Sequence, residues 1–476
     1  MNFKKMIAAL MTVAILGGAL ISCGAPSEEQ EPAETTTDAP IDTSAVSVPD
    51  GSDYSSLLSA ALDGVPVSAD ADFETEVTNG KVTVKTYVGT ASEVCVPATL
   101  GGLPVTAIAD GAFAGNTSLQ TLILPDTVEQ LGKGILAGCT FLYALETPLL
   151  GADATSTQFL GYLFGANTYV NNPRDIPASL KYLRIGGTAD TLPDYALFDC
   201  NDLVCVELPD TLRSVGSFAL YNCASLEWIF GLENVTSFDT HALSHCASLT
   251  DLTFGAGVTS FGLAMLEGCT AIRSLVLPFV GETPTQNTYL AYLFGAEYPD
   301  FSAGYYSPVL TRVELLSTCT SLGNYAFYEC WSLKELLLPE GLVSIGVRAF
   351  YGCKALWSLA LPNSLKTIRE SAFFGCTSLL ELHFGNGLTT VGINAFYNCD
   401  SLRAADLPDS LTSLPASCFA GCTSLTSVDL GGVTSVGKNA FHLCPAISTV
   451  ISDQTVSFAD GNEDAQLILY PPNDKS

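Results

Sequence analysis

The chain has 476 residues, and 49 acidic against 19 basic side chains give it a formal charge of −30 at pH 7. Such a surface repels the phosphate backbone of nucleic acid, which argues against a DNA or RNA partner. The mean hydropathy is high, at +0.33, but no apolar stretch after residue 23 approaches the roughly 18 residues that a membrane-spanning helix needs. We therefore expect the apolar residues to form one long core.

The amino-terminal residues predict export. Lys4 and Lys5 precede an apolar run over residues 6–20, and the run closes with Leu20-Ile21-Ser22-Cys23. The first part has the pattern of a signal peptide. The closing quartet resembles a bacterial lipobox, in which the Cys thiol receives a diacylglycerol. We therefore expect residues 1–22 to be a lipoprotein signal peptide and Cys23 to anchor the mature chain to a membrane.

Two short segments lead from this anchor to the main body of the chain. Residues 23–52 hold four prolines and four glutamates but few residues able to form a core. This composition predicts a disordered, acidic tether behind the lipidated Cys23. Residues 53–72 include Leu57, Leu58 and Leu62, which predict a short helix or a linker.

Cysteine residues recur at a fixed interval over the rest of the chain. The five cysteines from Cys330 to Cys422 are each 23 residues apart, as are the four from Cys200 to Cys269. A fixed period that carries the same apolar positions each time is typical of a solenoid, in which successive coils stack on one another. We therefore expect residues 73–476 to form a solenoid with amino- and carboxyl-terminal caps, which acts through a surface.

Each period predicts short strands joined by tight turns. Two alternating leucines before Pro339 predict a strand that stops there, because proline has no N–H to donate to a ladder. A second short apolar segment ends at Ile345, and the phrase Ala349-Phe350-x-x-Cys353 then returns apolar side chains to the core. This phrase and its degenerate forms occur in about twelve units, well above the roughly three that a stable stack needs.

Two of the intervals between these cysteines are 61 residues long instead of 23. Each contains nearly the same phrase, Gly161-Tyr-Leu-Phe-Gly-Ala166 in the first and Ala291-Tyr-Leu-Phe-Gly-Ala296 in the second. Aromatic loops that bulge from a solenoid are candidate contact sites. The candidate binding residues in these inserts are Tyr162, Phe164, Tyr292 and Phe294, with further aromatics at Tyr169, Tyr298, Phe301, Tyr305 and Tyr306. The alternative is that these aromatics pack down onto the solenoid flank.

The cysteines predict a buried column of thiols. Eleven of the 16 occupy one repeat position, and identical side chains on stacked coils point the same way, so the torsion of a disulfide is hard to reach. We expect them to be reduced and to pack as small hydrophobes. Among the remaining cysteines, Cys418 lies close to Cys422 and is the best of several weak cases for a bridge. The column lacks the paired Cys-x-x-Cys clusters of a zinc site, so no metal is expected.

Catalysis is poorly supported by the sequence. The chain has four histidines and none of the motifs that position a catalytic serine, a zinc ion or a phosphate group. His241 and His245 flank Cys246, but both fall at variable repeat positions that normally face solvent. We therefore expect neither an enzyme nor a cofactor.

Three repeated phrases carry a family resemblance. The phrases Leu-x-x-Leu-x-Leu-Pro, Leu-x-x-Ile-Gly and Ala-Phe-x-x-Cys, at this spacing, resemble the type 5 leucine-rich repeats of BspA-like bacterial surface proteins. The segment from Gly80 to Gly89 is similar to the way arrays in that family begin. The resemblance implies a β-rich leucine-rich-repeat solenoid that is curved and right-handed, carries a strand ladder on its concave face and binds ligands outside the cell. The count above gives it about 12 repeats of 23 residues with two longer inserted repeats.

A recognition patch is predicted on the strand ladder. If each strand begins at the first Leu of its repeat, positions +2 and +4 point outward, and Trp228 and Phe230 are the paired aromatics among them. Tryptophan is enriched among residues that dominate binding energy. Together with Glu207 and Asp251 these aromatics form the predicted patch. A rival interpretation is that they pack against the first insert.

These observations predict a lipid-anchored, non-enzymatic, adhesin-like protein on the extracellular face of a bacterial cell membrane. Its expected partners are extracellular proteins of a host or a neighbouring cell. Two alternatives remain open: a receptor for glycans or cell-wall polysaccharides, which would need the insert aromatics, and an envelope scaffold with no external ligand.

Overall fold

The computed structural model describes residues 58–155, 158–299, 302, 304–462 and 469–470. The predicted signal peptide (residues 1–22), Cys23, the predicted tether (residues 23–52) and Phe301 lie outside the described residues. Within the described ranges, no helix has both the length and the apolar character needed to span a bilayer.

The described chain is a parallel β-solenoid of about sixteen coils. Each coil adds one short strand to a first row, and neighbouring strands pair in parallel one period apart, as Cys205 does with Trp228. The fold class predicted from the repeats is confirmed. The first-row strands are Glu93–Cys95, Thr121–Ile123, Ala144–Thr147, Tyr182–Ile185, Cys205–Glu207, Trp228–Phe230, Asp251–Thr253, Ser274–Leu277, Arg312–Leu315, Glu335–Leu337, Ser358–Ala360, Glu381–His383, Ala404–Asp406, Ser427–Asp429, Thr449–Ile451 and Leu469–Tyr470.

A second row of two-residue strands forms another side of each coil. These strands also pair in parallel, as Ser344–Ile345 does with Thr367–Ile368. The second-row strands are Gln130–Leu131, Thr191–Leu192, Ser214–Val215, Ser237–Phe238, Ser260–Phe261, Ser321–Leu322, Ser344–Ile345, Thr367–Ile368, Thr390–Val391, Ser413–Leu414, Ser435–Val436 and Ser457–Phe458.

The ends of the solenoid are built differently. At the amino-terminal end, Phe73–Thr78 pairs antiparallel with Lys81–Tyr87, and the turn between them is Asn79-Gly80, both with positive φ, as a tight hairpin requires. The second of these strands then pairs in parallel with Leu103–Ile108, which also pairs with Thr99–Leu100. At the other end, Leu469–Tyr470 pairs with Thr449–Ile451.

The core is a set of columns that run along the solenoid. Phe327, Phe350, Phe373, Phe396, Phe419 and Phe441 stack in series, with ring centroids 4.9 to 5.9 Å apart. Each is 5% exposed or less. A single coil could not enclose such a ring, whereas a neighbour on each side buries it, and full burial of a phenylalanine stabilises by about 1.5–3 kcal/mol. Stacking is therefore what makes each coil stable.

Every coil turns at two residues in the left-handed region of backbone conformation. One precedes the Ala of the Ala-Phe phrase and the other precedes the Cys, as Asn394 and Asn398 do with φ of 57° and 55°. Glycine has no Cβ and enters this region freely, and asparagine tolerates it better than most residues. This requirement explains why Gly and Asn recur at these two positions.

The thiol column is hydrogen-bonded as well as buried. Cys376 Sγ donates to the carbonyl oxygen of Phe350 at 3.1 Å, and Cys353 Sγ makes the same contact with Phe327. Both acceptors lie on the preceding coil, 26 residues earlier. All the described cysteines are free thiols, including Cys418 and Cys422. Each column cysteine thus satisfies a backbone carbonyl in addition to filling space, a role that the sequence did not indicate.

The two long intervals contain complete coils. Their first-row strands are 38 residues apart (182 − 144 and 312 − 274). A 3-10 helix, Leu160–Phe164 in one and Leu290–Phe294 in the other, takes the place of the Ala-Phe turn, since Leu136 N–H donates to the Leu163 carbonyl in the usual ladder position. The remaining short helices are the 3-10 turns Asp70–Asp72, Tyr169–Asn171 and Leu232–Asn234 and the α-turn Asn172–Asp175.

Candidate binding surfaces

The outward-facing side chains of the first-row strands form a continuous surface, which we call the strand face. Residues 58–62 form a helical turn that packs on this face in the amino-terminal coils. Leu58 and Leu62 are only 2% and 1% exposed, and they share a cluster with Ala144, Tyr182 and Cys205 from three successive strands. Residues four apart lie on the same side of a helix. The chain therefore covers part of its own strand face.

Trp228 and Phe230 belong to the covered part. Both are half-buried, and together with Tyr143 they pack against the cluster of Leu58 and Leu62. The paired aromatics predicted as a recognition patch thus contact the chain's own amino-terminal segment. Their role in ligand binding stays a prediction, and the sequence did not indicate this occupant.

Arg184 connects the amino-terminal segment to the strands. Its Nη1 lies 2.9 Å from Asp63 Oδ1 and 3.1 Å from Glu146 Oε2, and its Nε lies 2.6 Å from Glu207 Oε2. The hydrogen bond from Arg184 holds the pKa of Asp63 below its ordinary value. Burial raises the pKa of Glu146, and the arginine opposes that shift without cancelling it. One guanidinium therefore neutralises three carboxylates at the edge of the covered region.

Asp251 lies beyond an interruption of the first row. Among the described strands, Trp228–Phe230 pairs only with Cys205–Glu207, and Asp251–Thr253 begins a new sheet. The structure brings together Trp228, Phe230 and Glu207, which sits in register with Phe230. Asp251 stands on the next coil and is half-buried.

The strand face is open in the carboxyl-terminal coils. Its exposed side chains there are Glu335, Leu337, Ala360, Glu381, His383 and Asp406. Leu337 is 39% exposed, which is high for a leucine in the middle of a leucine-rich repeat. This part of the face presents both apolar and acidic groups to solvent.

A shallow hollow of about 280 Å³ opens on this part of the strand face. It lies at a second interruption of the first row, between Glu335–Leu337 and Ser358–Ala360, which belong to different sheets. Leu337 and Trp357 line it, with Lys334 beside them. Trp357 is 46% exposed, so a large apolar ring stands at the rim of an open depression.

Trp331 provides a contrast to Trp357. Its side chain is 48% exposed, but it is not among the residues that line the hollow. Lys354 Nζ instead lies 5.7 Å from the centroid of its ring. The two tryptophans match in exposure and differ in position.

The insert aromatics divide into core and surface residues. Phe164 and Phe294 are 5% and 2% exposed, because each stands where a normal coil has its core phenylalanine. Tyr162 and Tyr292 are half-buried and pack against the same core. The expectation that the inserts bulge as contact loops is corrected here, since the phrase that they share forms the turn of a full coil. The alternative of packing onto the solenoid describes these four residues, whereas Tyr298 and Tyr305 are 63% and 45% exposed.

His241 and His245 take part in ring stacking. Their positive φ angles of 56° and 62° place them at the two left-handed turn positions. His241 lies 4.9 Å from the ring of Phe218, and His245 lies 5.2 Å from that of Tyr221. Within the described ranges, no group of three or more His, Cys, Asp or Glu side chains has the arrangement of a metal site.

A further aromatic column runs along the turns outside the core. The half-buried rings of Tyr328, Tyr351, Phe374 and Tyr397 stack at 4.9 to 5.1 Å and within 14° of parallel. The 23-residue spacing of these residues, directly after each core phenylalanine, could have revealed the column from the sequence. Each ring face in the interior of the column is covered by the next ring. The column therefore offers mainly ring edges to a ligand.

Comparison with known families decides the affiliation of the chain. The BspA type leucine-rich repeat region matches it in six copies, over residues 102–158, 177–289, 302–379 and 343–462. The chain belongs to the BspA-type leucine-rich repeat family. The matched ranges cover most of the solenoid and include both long coils. The family predicted from the repeated phrases is confirmed.

Solved structures include leucine-rich repeat proteins of other bacteria. A leucine-rich repeat protein from Bacteroides ovatus is 21% identical with a TM-score of 0.37, over 82% of this chain and 98% of that one. A leucine-rich cell surface protein from Faecalibacterium prausnitzii is 19% identical with a TM-score of 0.25, over 86% and 98%. The pneumococcal vaccine antigen PcpA is 17% identical with a TM-score of 0.31, over 84% and 95%. Comparison with curated proteins gives no match.

Proposed function

We propose that this BspA-type protein is a non-enzymatic, adhesin-like binding protein, lipid-anchored through Cys23 on the extracellular face of a bacterial membrane. It binds extracellular proteins through the strand face of its carboxyl-terminal coils. The repeat family supports a binding role, because leucine-rich repeats form a shared scaffold whose members differ in surface. The observation that carries the location is the open hollow between Leu337 and Trp357.

The hollow has the composition of a protein-binding anchor site. Residues that dominate binding energy are enriched in tryptophan and lie in depressions from which a partner excludes water. Trp357 and Leu337 supply apolar surface, and Lys334 and Glu335 add polar groups at the rim. A bulky apolar side chain of a partner would fill the depression and cover both residues.

Charge restricts the kind of protein that fits this face. The outward positions of the carboxyl-terminal coils carry Glu335, Glu381, Asp406 and Asp429. Arg312 is already held by Glu314 at 2.7 Å and by Glu335 at 3.6 Å. Complementary potentials speed association and exclude partners of like charge. We therefore expect a partner segment with lysine or arginine near an apolar anchor.

The placement of the aromatics favours a protein ligand over a glycan. Sugar rings stack on open aromatic faces, but Phe164 and Phe294 are buried and the outer aromatic column presents mainly ring edges. A glycan reader built on the insert aromatics would have only Tyr162 and Tyr292, which are half-buried. The strand face has the greater open apolar surface.

The experiment is a binding screen of the lipid-free chain, residues 24–476, on parallel arrays of extracellular-matrix proteins and glycans. Trp357→Ala is the test variant and Trp331→Ala is the control, because the two tryptophans are equally exposed. The proposal predicts a protein hit that Trp357→Ala weakens at least tenfold and Trp331→Ala leaves unchanged. A hit on glycans alone, silence on both arrays, or equal loss in both variants would overturn it.

A further inference from the structure

We propose that the strand face of the amino-terminal coils is a binding surface for an amphipathic helix. It is occupied in cis by residues 58–63 and is open to the helix of a partner protein when this segment leaves. We call the surface of Tyr143, Tyr182, Cys205, Trp228 and Phe230 the helix-binding face. This inference goes beyond the proposed function and uses a different part of the solenoid.

The seated segment shows which chemistry the helix-binding face accepts. It presents two leucines one turn apart, and both are almost completely buried against the face. Asp63 then follows at the carboxyl end of the turn and reaches Arg184. The matching partner is therefore a helix with the pattern Leu-x-x-x-Leu followed by an acidic residue, a groove-binding mode that other proteins also use.

The described contacts of the segment are few. It has five described helical residues, and helices this short are marginal by themselves. Beyond the two leucines and Asp63, the contacts are a long hydrogen bond of 3.5 Å from Thr121 to the Ala61 carbonyl and, further on, a bridge between Val67 and Cys95. Contacts this few favour local opening without unfolding of the coils.

The helix-binding face is built to survive the departure of the segment. Arg184 keeps Glu146 and Glu207 as partners when Asp63 leaves, so no buried charge is stranded. Tyr143 and Tyr182 contact each other edge to face at 5.1 Å, and their strands stay paired to their neighbours. Exposed apolar patches of this kind mark interaction sites.

The test uses the ectodomain, residues 24–476, with Leu58→Asp and Leu62→Asp combined to release the segment. The probe is a labelled synthetic peptide of residues 51–66, and the control peptide carries the same two substitutions. Fluorescence anisotropy measures binding. We expect the released variant to bind the probe saturably, the wild type to bind it at least tenfold more weakly, and the control peptide to bind neither. Adding Trp228→Ala to the released variant should abolish binding.

Three results would overturn the inference. One is a folded variant that binds no probe, and another is equal binding to variant and wild type. The third comes from amide hydrogen exchange of the unmodified wild type, which covers the case in which the double variant does not fold. Residues 58–63 should exchange at least a hundredfold faster than the first-row strands, and exchange of the segment only together with the coils would make it a fixed cap. None of these results depends on Trp357, so the proposed function stands or falls separately.

Discussion

Arg184 Nε lies 2.6 Å from Glu207 Oε2, although the two residues are 23 positions apart in the chain. The parallel register places them side by side on neighbouring first-row strands. Glu146, one coil earlier, pairs with the same strand as Arg184. The repeat period thus places one arginine between two glutamates, and the amino-terminal segment adds Asp63.

Removing this arginine should destabilise the solenoid measurably. Arg184→Met leaves Glu146 half-buried without its cation, and hydrogen bonds to charged groups contribute about 1.5–3 kcal/mol. Partial exposure reduces this value, so we expect a loss of about 1–2 kcal/mol in the free energy of unfolding by urea. Lys81→Met, which removes an exposed pair with Glu129, should change it by less than about 0.5 kcal/mol. Equal effects of the two variants would contradict the account.

Adjacent phenylalanines should differ sharply in their effect on stability. Phe373 is fully buried between Phe350 and Phe396, and Phe→Ala in a core costs about 3–5 kcal/mol. Phe374 is half-buried between Tyr351 and Tyr397, and aromatic pairs contribute about 0.5–1.5 kcal/mol beyond their burial. Phe373→Ala should therefore lower the unfolding free energy by at least about 2 kcal/mol more than Phe374→Ala. A reversed order would show that the outer column holds the stack.

One turn residue offers a stabilising substitution. Leu443 has φ of 57° and is 62% exposed, so it keeps a strained conformation with little contact in return. A left-handed residue with a Cβ costs about 1–2 kcal/mol relative to the right-handed conformation, while glycine loses part of that gain through unfolded-state entropy. Leu443→Gly should therefore raise the unfolding free energy by about 0.5–1 kcal/mol. Leu443→Ala, which keeps the Cβ, should give no such gain.

The thiol column predicts how stability depends on pH. Burial raises the pKa of the Cys330 thiol from 9.0 to about 12, and it raises the pKa of Cys353 and Cys376 as well. The folded chain then holds protons that the unfolded chain releases above pH 9, so stability is complete below pH 9 and is lost as the pH rises. At pH 10 the loss is about 1.4 kcal/mol for each such thiol.

Two measurements check the thiol prediction. The unfolding free energy should be flat from pH 7 to 8 and fall steeply between pH 9 and 10.5. Iodoacetamide at pH 8 should modify the column cysteines only in denaturant, because both burial and the raised pKa suppress the thiolate. Rapid alkylation of Cys353 or Cys376 in the native protein would refute the buried column.

The period of the solenoid could be read from the sequence because each coil repeats the same physical requirements. Phe350, Cys353 and their counterparts occupy equivalent places, so one repeat predicts all the others. The strand ending at Pro339 follows equally from local chemistry. The two long coils could not be read in this way, because Leu163-Phe164 replaces Ala-Phe and the added length looks like a loop.

The covering of the strand face could not be predicted for a different reason. A helix with two buried leucines has no repeat that marks its partner, and Leu58 and Leu62 give no sign of where they dock. The docking site depends on register across coils, where Tyr182, Cys205 and Trp228 meet. Sequence therefore predicted that Trp228 points outward but not what lies on it.

The most direct test of the proposed binding face is hydrogen–deuterium exchange of the ectodomain, alone and with the protein that it captures. The account predicts protection of strands Glu335–Leu337 and Ser358–Ala360, around the hollow at Trp357, with the outer aromatic column unchanged. Protection confined to the turns that carry Tyr351 and Phe374, with no change in these strands, would contradict it.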